Sequence, residues 1–310
     1  MATTAQAPAT SRRAQSNWWA RHQRAIAPYL FISPFFLLFV VFGLYPIAYS
    51  FWLSFLKGFG FGAKTFVGLA NYAHLVQDDR YLRAVLNTTY YALGSVFILS
   101  PLALLLALVV NSRLVAWKGF YKTAFFFPVI TSAVVIAIIF SRVLDTQFGL
   151  LNTLLSWFHL PPVGWLTDQK WVMPSFILMG IWTYLGINML YWLAGLNGIT
   201  PDLYEAARVD GATRWQEFWG VTLPLLRPVT LFVVIQAIIG SYHLFAQPLL
   251  LTNGGPADAS LTISLYLYNQ GFVNFNVGYA SAIAYSMVAL LLVLSILNIV
   301  LFRGYRSTHE

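Results

Sequence analysis

Thr200-Pro-Asp-Leu-Tyr-Glu-Ala-Ala-Arg-Val-Asp-Gly-Ala-Thr-Arg-Trp-Gln-Glu-Phe-Trp-Gly-Val-Thr-Leu-Pro224 is a polar island between two apolar segments. It carries Asp202, Glu205, Asp210 and Glu217, four of the ten acidic residues in the chain. A connection of this length with helix signals of its own suits docking better than simple linkage. Thr200 can cap a helix, Pro201 suits its first position, and Asp202 and Glu205 favour its positive end. Gly211 stops it, so the spacing predicts a helix over 202–210. Thr213 with Gln216 predicts a capping box for a second short helix, 213–220. Glu205 and Arg208 are three apart and can pair. Leu203, Ala206, Ala207 and Asp210 share one face, which the two alanines leave flat enough for another backbone to come close. The plainer reading is an amphipathic surface helix that anchors the loop.

The segments around the island identify its setting. The chain has 310 residues, 59% hydrophobic and 9% charged, against about 25% charged in a soluble domain. Six apolar stretches are long enough to cross a bilayer: about 28–56, 84–110, 120–141, 172–197, 225–251 and 279–302. Spanning segments must satisfy their own backbone, and β alternation is missing, so these are helices. The expectation is an all-α integral membrane protein with six transmembrane helices. It has a polar tail over 1–27, a membrane domain over 28–302 and a short tail over 303–310. Pro34, Pro46, Pro101 and Pro128 should kink or terminate helical turns. With the N-terminus inside, twelve of the 18 Lys and Arg fall on the cytoplasmic side: Arg12, Arg13, Arg21, Arg24, Arg113, Lys118, Lys122, Arg208, Arg214, Arg227, Arg303 and Arg306. Lys57, Lys64, Arg80, Arg83, Arg142 and Lys170 fall outside, and the loop from 252 to 278 has no basic residue. Both termini and the loop 198–224 are thereby expected in the cytoplasm. The net charge of +8 belongs to this loop bias rather than to nucleic-acid binding. With no cysteine, disulfides and thiolate metal sites are excluded.

Polar residues inside the spans are candidates for a solute path. Asn87 and Thr88 begin the second span. Thr183, Tyr184 and Asn188 lie in the fourth, and Gln236, Ser241, Tyr242, His243 and Gln247 in the fifth. Sugars need amide and hydroxyl partners and an aromatic surface under the ring, for which Trp182, Tyr184 and Tyr242 are placed. The same residue types also serve as hydrogen bonds between helices. His243 has no His, Cys or carboxylate partner within a turn, so no metal site is expected. No span interior holds a carboxylate or central cation, which disfavours ion-coupled transport. No phosphate loop is present, so ATP is not bound by this chain and it is not expected to be an enzyme.

Glu205-Ala206-Ala207, three residues, Gly211, nine residues, then Val221-Thr222-Leu223-Pro224 resembles the EAA loop of the permease subunits of binding-protein-dependent ABC importers. The resemblance runs from about 28 to 302. Pro28-Tyr-Leu-Phe-Ile-Ser-Pro34 with Tyr45-Pro46, Gly68-Leu-Ala-Asn-Tyr72 with Asn87-Thr88, and Phe125-Phe-Phe-Pro128 with Phe148-Gly-Leu-Leu-Asn152 are similar to the family's first three spans and their approaches. Leu251-Thr-Asn-Gly-Gly-Pro256 with Gly278-Tyr-Ala-Ser-Ala282 is similar to its outer loop and last span. The combination resembles the first permease subunit of the carbohydrate branch, which includes the maltose and glycerol-3-phosphate permeases, without the large periplasmic insert of the maltose subunit. The resemblance implies a type I importer permease fold in the inner membrane of a bacterial or archaeal cell, moving a mono-, di- or oligosaccharide by alternating access. It implies four kinds of partner: a second permease subunit completing a heterodimer, an ATPase dimer carrying ATP and Mg, an extracytoplasmic sugar-binding protein, and membrane lipid. Glu205, Ala206, Ala207, Asp210, Gly211 and Pro224 would couple the chain to the ATPase. Ser241 to Gln247 correspond to the region that lines the sugar site in relatives. The alternatives are the same machine for glycerol phosphate or a polyol, an ion-coupled carrier or channel, and a membrane scaffold with no solute path.

Overall fold

The computed structural model describes residues 18–60, 62–112 and 114–304. The chain divides into two compact units, one up to Trp52 and one from Leu53 onward. The first holds helix α1 (Trp18–Phe39), a π-helical turn (Val40–Leu44) and α2 (Tyr45–Leu53). The helix starts at Trp18 rather than at 28, so the last part of the expected tail is helical. No glycine or proline stands between 18 and 27 to stop it. Arg12, Arg13, Arg113 and Arg306 lie outside the described residues.

The second unit opens with a two-stranded hairpin, β1 (Leu56–Lys57) against β2 (Thr65–Phe66). Then follow α3 (Ala70–Gln77), α4 (Asp79–Gly94), α5 (Ser100–Asn111), α6 (Lys118–Phe126), α7 (Ala133–Val143), α8 (Leu150–Trp157) and the long α9 (Val172–Asn197). After it come α10 (Pro201–Val209), α11 (Arg214–Glu217), α12 (Leu223–Leu225), α13 (Arg227–Tyr242), α14 (Ala246–Leu251), α15 (Ile263–Tyr268) and α16 (Val277–Gly304). Five stretches are long and apolar enough to cross a membrane: Ile26–Leu53, Asp79–Asn111, Val172–Asn197, Arg227–Leu251 and Val277–Leu301. A sixth is broken. The stretch expected as one helix over 120–141 is α6 plus a 3-10 turn (Phe127–Ile130), then α7 after a bend of 96°.

Prolines stand at several irregularities of the spans, although Pro28 and Pro34 lie within the continuous α1. Pro46, Pro101 and Pro224 each stand two residues past a π-helical turn, at Val40–Leu44, Ser95–Leu99 and Phe218–Thr222. A proline offers no N–H to the carbonyl four residues back, and its ring collides with it. The wider turn takes up that mismatch, the N–H groups of Tyr45, Ser100 and Leu223 reaching back to Val40, Ser95 and Phe218. No π turn precedes Pro128, and there the helix ends.

α9 is the central helix of the second unit, with Val172, Met179 and Met189 fully buried along it. Small residues let its neighbours close in. A Cβ on Gly180 would lie 2.3 Å from the Tyr91 hydroxyl, one on Gly94 2.5 Å from Ile177, and one on Gly186 1.9 Å from the Phe125 carbonyl oxygen. Ala103 and Ala107 of α5 are fully buried in the same cluster as Met189 and Trp192.

At the start of α4 a polar clasp holds the segment 252–263. Asn87 donates to the carbonyls of Asp258 and Leu261 (2.8 and 2.9 Å), and the Thr88 hydroxyl accepts from Ile263 N–H (3.1 Å). Arg80 forks onto the Asp258 carboxylate at 2.9 and 2.8 Å. Asp78 caps α4 through Arg80 and Tyr81 N–H and accepts from the hydroxyls of Tyr266 and Tyr279, both at 2.5 Å. Burial opposes the Asp78 charge, but these hydrogen bonds outweigh it and hold the carboxyl below its ordinary value. Burial and the facing Asp78 carboxylate push Tyr266 up to about 12. Asn87 and Thr88, candidates for the solute path, are thus committed to the clasp.

Gly186→Ala forces α9 off the Phe125 backbone, and overpacking of this kind costs about 1–3 kcal/mol. Its melting temperature in detergent falls, whereas Gly119→Ala on α6, with open space around the added Cβ, leaves it unchanged or slightly raised. Because the Asp78 value is lowered on folding, its contribution is complete above the unfolded carboxylate value and is lost as pH falls through the lower folded one. The wild-type melting temperature therefore drops in acid below about pH 4, and Asp78→Asn starts lower at neutral pH and shows a shallower acid slope.

Candidate functional site

Three helical stripes meet around a cavity of about 300 Å³. α9 contributes Tyr184, Ile187, Asn188 and Tyr191, the one-face pattern of a helix. Tyr91, Ser95 and Leu99 come from α4 and the π turn that follows it. On an unbroken helix the third of these would drift around the axis; the wider π turn brings Leu99 back into line. α13 contributes Gln236, Ala237, Gly240 and Ser241, with His243 just past its end.

The site stands beside an interruption. Between α13 and α14 the chain leaves the helix at residues 243–245, which frees carbonyls that an apolar medium cannot satisfy. Side chains meet the need: His243 Nδ1 donates to Ile239 (2.8 Å), Ser264 to Tyr242 (2.8 Å) and Thr262 to Leu244 (2.7 Å). Donation through Nδ1 leaves Nε2 as the second polar atom of the ring. Asn188 donates to Tyr184 carbonyl (2.9 Å) and Ser241 to Ala237 carbonyl (2.6 Å). Tyr91, Ser95, Tyr184 and Gln236 line the cavity, and their side-chain polar groups make no hydrogen bond among the described residues. No aspartate, glutamate, lysine or arginine is in the lining. Among the described residues no group of three His, Asp or Glu could hold a metal.

Of the eight residues proposed from sequence for the solute path, Tyr184, Asn188, Gln236, Ser241 and His243 line this cavity. Three stand elsewhere. Thr183 is buried and donates to Met179 carbonyl (2.8 Å). Tyr242 is 1% exposed on the opposite side of α13, its hydroxyl 3.1 Å from that of Thr89. Gln247 is buried on α14, past the interruption. Trp182 packs edge-on against Phe140 instead. One residue step turns a helical side chain by about 100°, so neighbours in sequence part company. Tyr91, Ser95 and Tyr191 were not among the sequence candidates. Their signal was the four-residue spacing of Tyr91 and Ser95 and the place of Tyr191 one turn past Tyr184 and Asn188.

The polar island folds as a bracket. α10 begins at Pro201 as expected, but Thr200 makes no side-chain cap. Gly211 ends it in the left-handed region at φ +81°, and Ala212 N–H closes the turn on Ala207 (2.9 Å). The Thr213–Gln216 capping box forms. The second helix is shorter than 213–220, giving way after Glu217 to the π turn that accommodates Pro224. Arg208 pairs with Glu217 (2.9 Å) rather than Glu205. Arg208 and Tyr204, four apart, share the face packed on the second arm, where the Tyr204 hydroxyl lies 3.0 Å from that of Thr222. Glu205 and Asp210 are left exposed, their side chains without a hydrogen bond or ion pair among the described residues. Ala206 is exposed beside them and Val209 is 87% exposed.

Comparison with known proteins is consistent along the chain. Residues 67–307 match the family described as binding-protein-dependent transport system inner membrane component. The chain is 37% identical over 303 residues to the arabinooligosaccharides transport system permease protein AraP of Bacillus subtilis (strain 168), covering 97% of this chain and 96% of that one. It is similar to a chain in the crystal structure of a bacterial ABC transporter involved in the import of the acidic polysaccharide alginate, with TM-score 0.77, 27% identity, and 92% of this chain and 98% of that chain covered. A second structure of the alginate transporter, in complex with alginate pentasaccharide-bound periplasmic protein, matches with TM-score 0.76 and 27% identity over 91% and 95% of the two chains.

The bracket's stiffness rests on few contacts, so it is testable. Thr213→Ala removes the capping box at about 1 kcal/mol, and Thr222→Val removes the hydroxyl facing Tyr204 at about 0.5–1.5 kcal/mol. Hydrogen exchange over 201–222 is expected to speed up in both variants, with exchange in α9 unchanged.

Proposed function

The chain belongs to the family of binding-protein-dependent transport system inner membrane components, and from that premise we propose that it carries a neutral sugar across the membrane as one permease subunit of an ATP-driven importer. The observation that carries this reading is a cavity rich in unpaired hydroxyl and amide groups and free of formal charge. Neutral sugars exchange water for such groups, and Tyr184 and Tyr191 offer ring faces for the apolar side of a pyranose or furanose. A phosphorylated or uronic-acid solute calls for Lys or Arg in the lining, and none is there. The relative from Bacillus subtilis is named for arabinooligosaccharides, which are uncharged; the alginate transporter imports an acidic polysaccharide and differs in that respect.

The bracket is the coupling element. Both termini and residues 198–224 face the cytoplasm in this reading, as the twelve-to-six distribution of basic residues favours. α10 enters a cleft of a separate ATPase subunit that binds ATP and Mg. Glu205 and Asp210 supply the polar contacts, while Ala206, Ala207 and Gly211 admit a close backbone approach. Pro224 with its π turn joins the bracket rigidly to α13. A second permease subunit completes the membrane part, and an extracytoplasmic binding protein delivers the sugar, which accounts for a chain that carries a path but no engine. When the ATPase dimer closes, α10 moves as a body and carries α9 and α13 with it, exchanging inward for outward access.

The test separates coupling from passage in the assembled importer reconstituted with its ATPase and binding protein. Glu205→Lys and Gly211→Val leave basal ATP hydrolysis and reduce uptake by roughly tenfold or more, the cost of one lost charged contact or of a β-branched residue at positive φ. Asn188→Leu lowers sugar uptake while a binding-protein-stimulated ATPase persists. Wild-type uptake by the two bracket variants would refute the coupling role, and wild-type uptake by Asn188→Leu with Tyr91→Phe would refute the path.

A further inference from the structure

α4 and α9 lock together through two reciprocal notches. The three atoms nearest a Cβ on Gly94 of α4 would all belong to Ile177 of α9. The three nearest a Cβ on Gly180 of α9 would all belong to Tyr91 of α4, its hydroxyl first. Each glycine seats a side chain of the other helix. They differ in what stands behind the residue they seat. Ile177 is held within the buried cluster it forms with Phe176 and Met173. Tyr91 belongs to that cluster on one side and lines the sugar cavity on the other.

Position along α9 gives the second notch its consequence. The cavity stripe of this helix starts at Tyr184, and one turn earlier the same face carries Gly180. Gly180 is absent from the lining, because Tyr91 covers it. Tyr91 is likewise the first lining residue of α4. Its ring thereby closes one end of the cavity, drawn back toward α9 by the depth of the missing side chain. The Tyr91 hydroxyl makes no hydrogen bond among the described residues, so shape holds this wall in place. The residue is 4% exposed and close-packed on its core side. A methyl group at 180 leaves the ring one open direction, which is into the cavity.

We propose that Gly180 is a positioning residue of the sugar site: through Tyr91 it sets where the end wall stands, and with it the size of solute the cavity admits. The inference rests on the sugar-path reading of this cavity, and its test needs no transport.

The chain has no cysteine, so a single introduced thiol reports on the cavity. Ala237→Cys places one on the α13 wall. The assembled importer is treated with methyl methanethiosulfonate or with an analogue carrying a glucosyl group, and modification of this chain is timed by mass spectrometry. The Ala237→Cys background reacts with both. Adding Gly180→Ala leaves the methyl reagent unchanged and slows the glucosyl reagent roughly tenfold, the scale of one overpacked contact. Adding Tyr91→Phe as well removes the atom nearest the new methyl group and restores most of the glucosyl rate. Gly94→Ala overpacks the same helix pair against Ile177 and keeps the ratio of the two rates at the background value, a difference that a purely structural role of Gly180 would not produce. The proposal is overturned by a background that excludes the glucosyl reagent, an unchanged ratio in Gly180→Ala, an equal change in Gly94→Ala, no recovery with Tyr91→Phe, or failure of both Gly180→Ala and its Tyr91→Phe combination to assemble. Wild-type uptake by Asn188→Leu with Tyr91→Phe refutes the sugar path and leaves these labelling ratios standing, so the two failures are told apart.

Discussion

In a hydrocarbon medium each backbone N–H and C=O must find its partner within the protein, because water is not there to supply one. Departures from regular helix in the spans of this chain come with a device that answers that demand. Three prolines sit behind π turns that redirect hydrogen bonds to the fifth residue back. Where α13 stops, His243, Ser264 and Thr262 reach in to take up its freed carbonyls. The interruption is thereby stable, and the cavity exists because of it: Gly240, Ser241 and His243 line the space beside the break.

Two groups of polar residues differ in how they are satisfied. Those of the clasp, Asp78, Arg80, Asn87 and Thr88, are bonded to the segment 252–263 or to the tyrosines beyond it. In the cavity the side chains of Tyr91, Ser95, Tyr184 and Gln236 make no hydrogen bond among the described residues. A satisfied group rigidifies, and an unsatisfied one in a roomy cavity is prepared for solute or water. One stretch, from Asp78 through α4 into the π turn after it, carries both groups, with the clasp over 78–88 and the cavity face from Tyr91 onward.

The bracket and the cavity are mechanically continuous. α10 follows α9 after only Gly198, Ile199 and Thr200, and α13 follows the second arm through Pro224. These two helices supply eight of the twelve cavity residues. Tyr204–Thr222 and Arg208–Glu217 tie the arms to each other, so a displacement of the exposed face of α10 reaches both walls together. The Arg208 pair, more than half exposed on the arginine side, contributes little by itself; the buried Thr222 hydroxyl and the capping box carry more of the stiffness.

Composition and local pattern determined the helical membrane class, the start and stop of α10, the capping box and the loop's likeness to a known coupling motif. These depend on residues near one another in sequence: Pro201 and Gly211 act on their own backbone, and Thr213 on Gln216 three residues on. Pairing and facing were decided by tertiary structure. Arg208 chose Glu217 over Glu205 because packing turned its face toward the second arm. Asn87 and Thr88 went to the clasp because a segment far along the chain folded over them. Tyr242 turned away from the cavity while its neighbours turned in, and a helix ended at Pro128 whereas Pro34, Pro46 and Pro101 stand within continuous helical stretches. Which face of a helix meets space rather than a neighbour is set by distant segments, and a local pattern does not contain them.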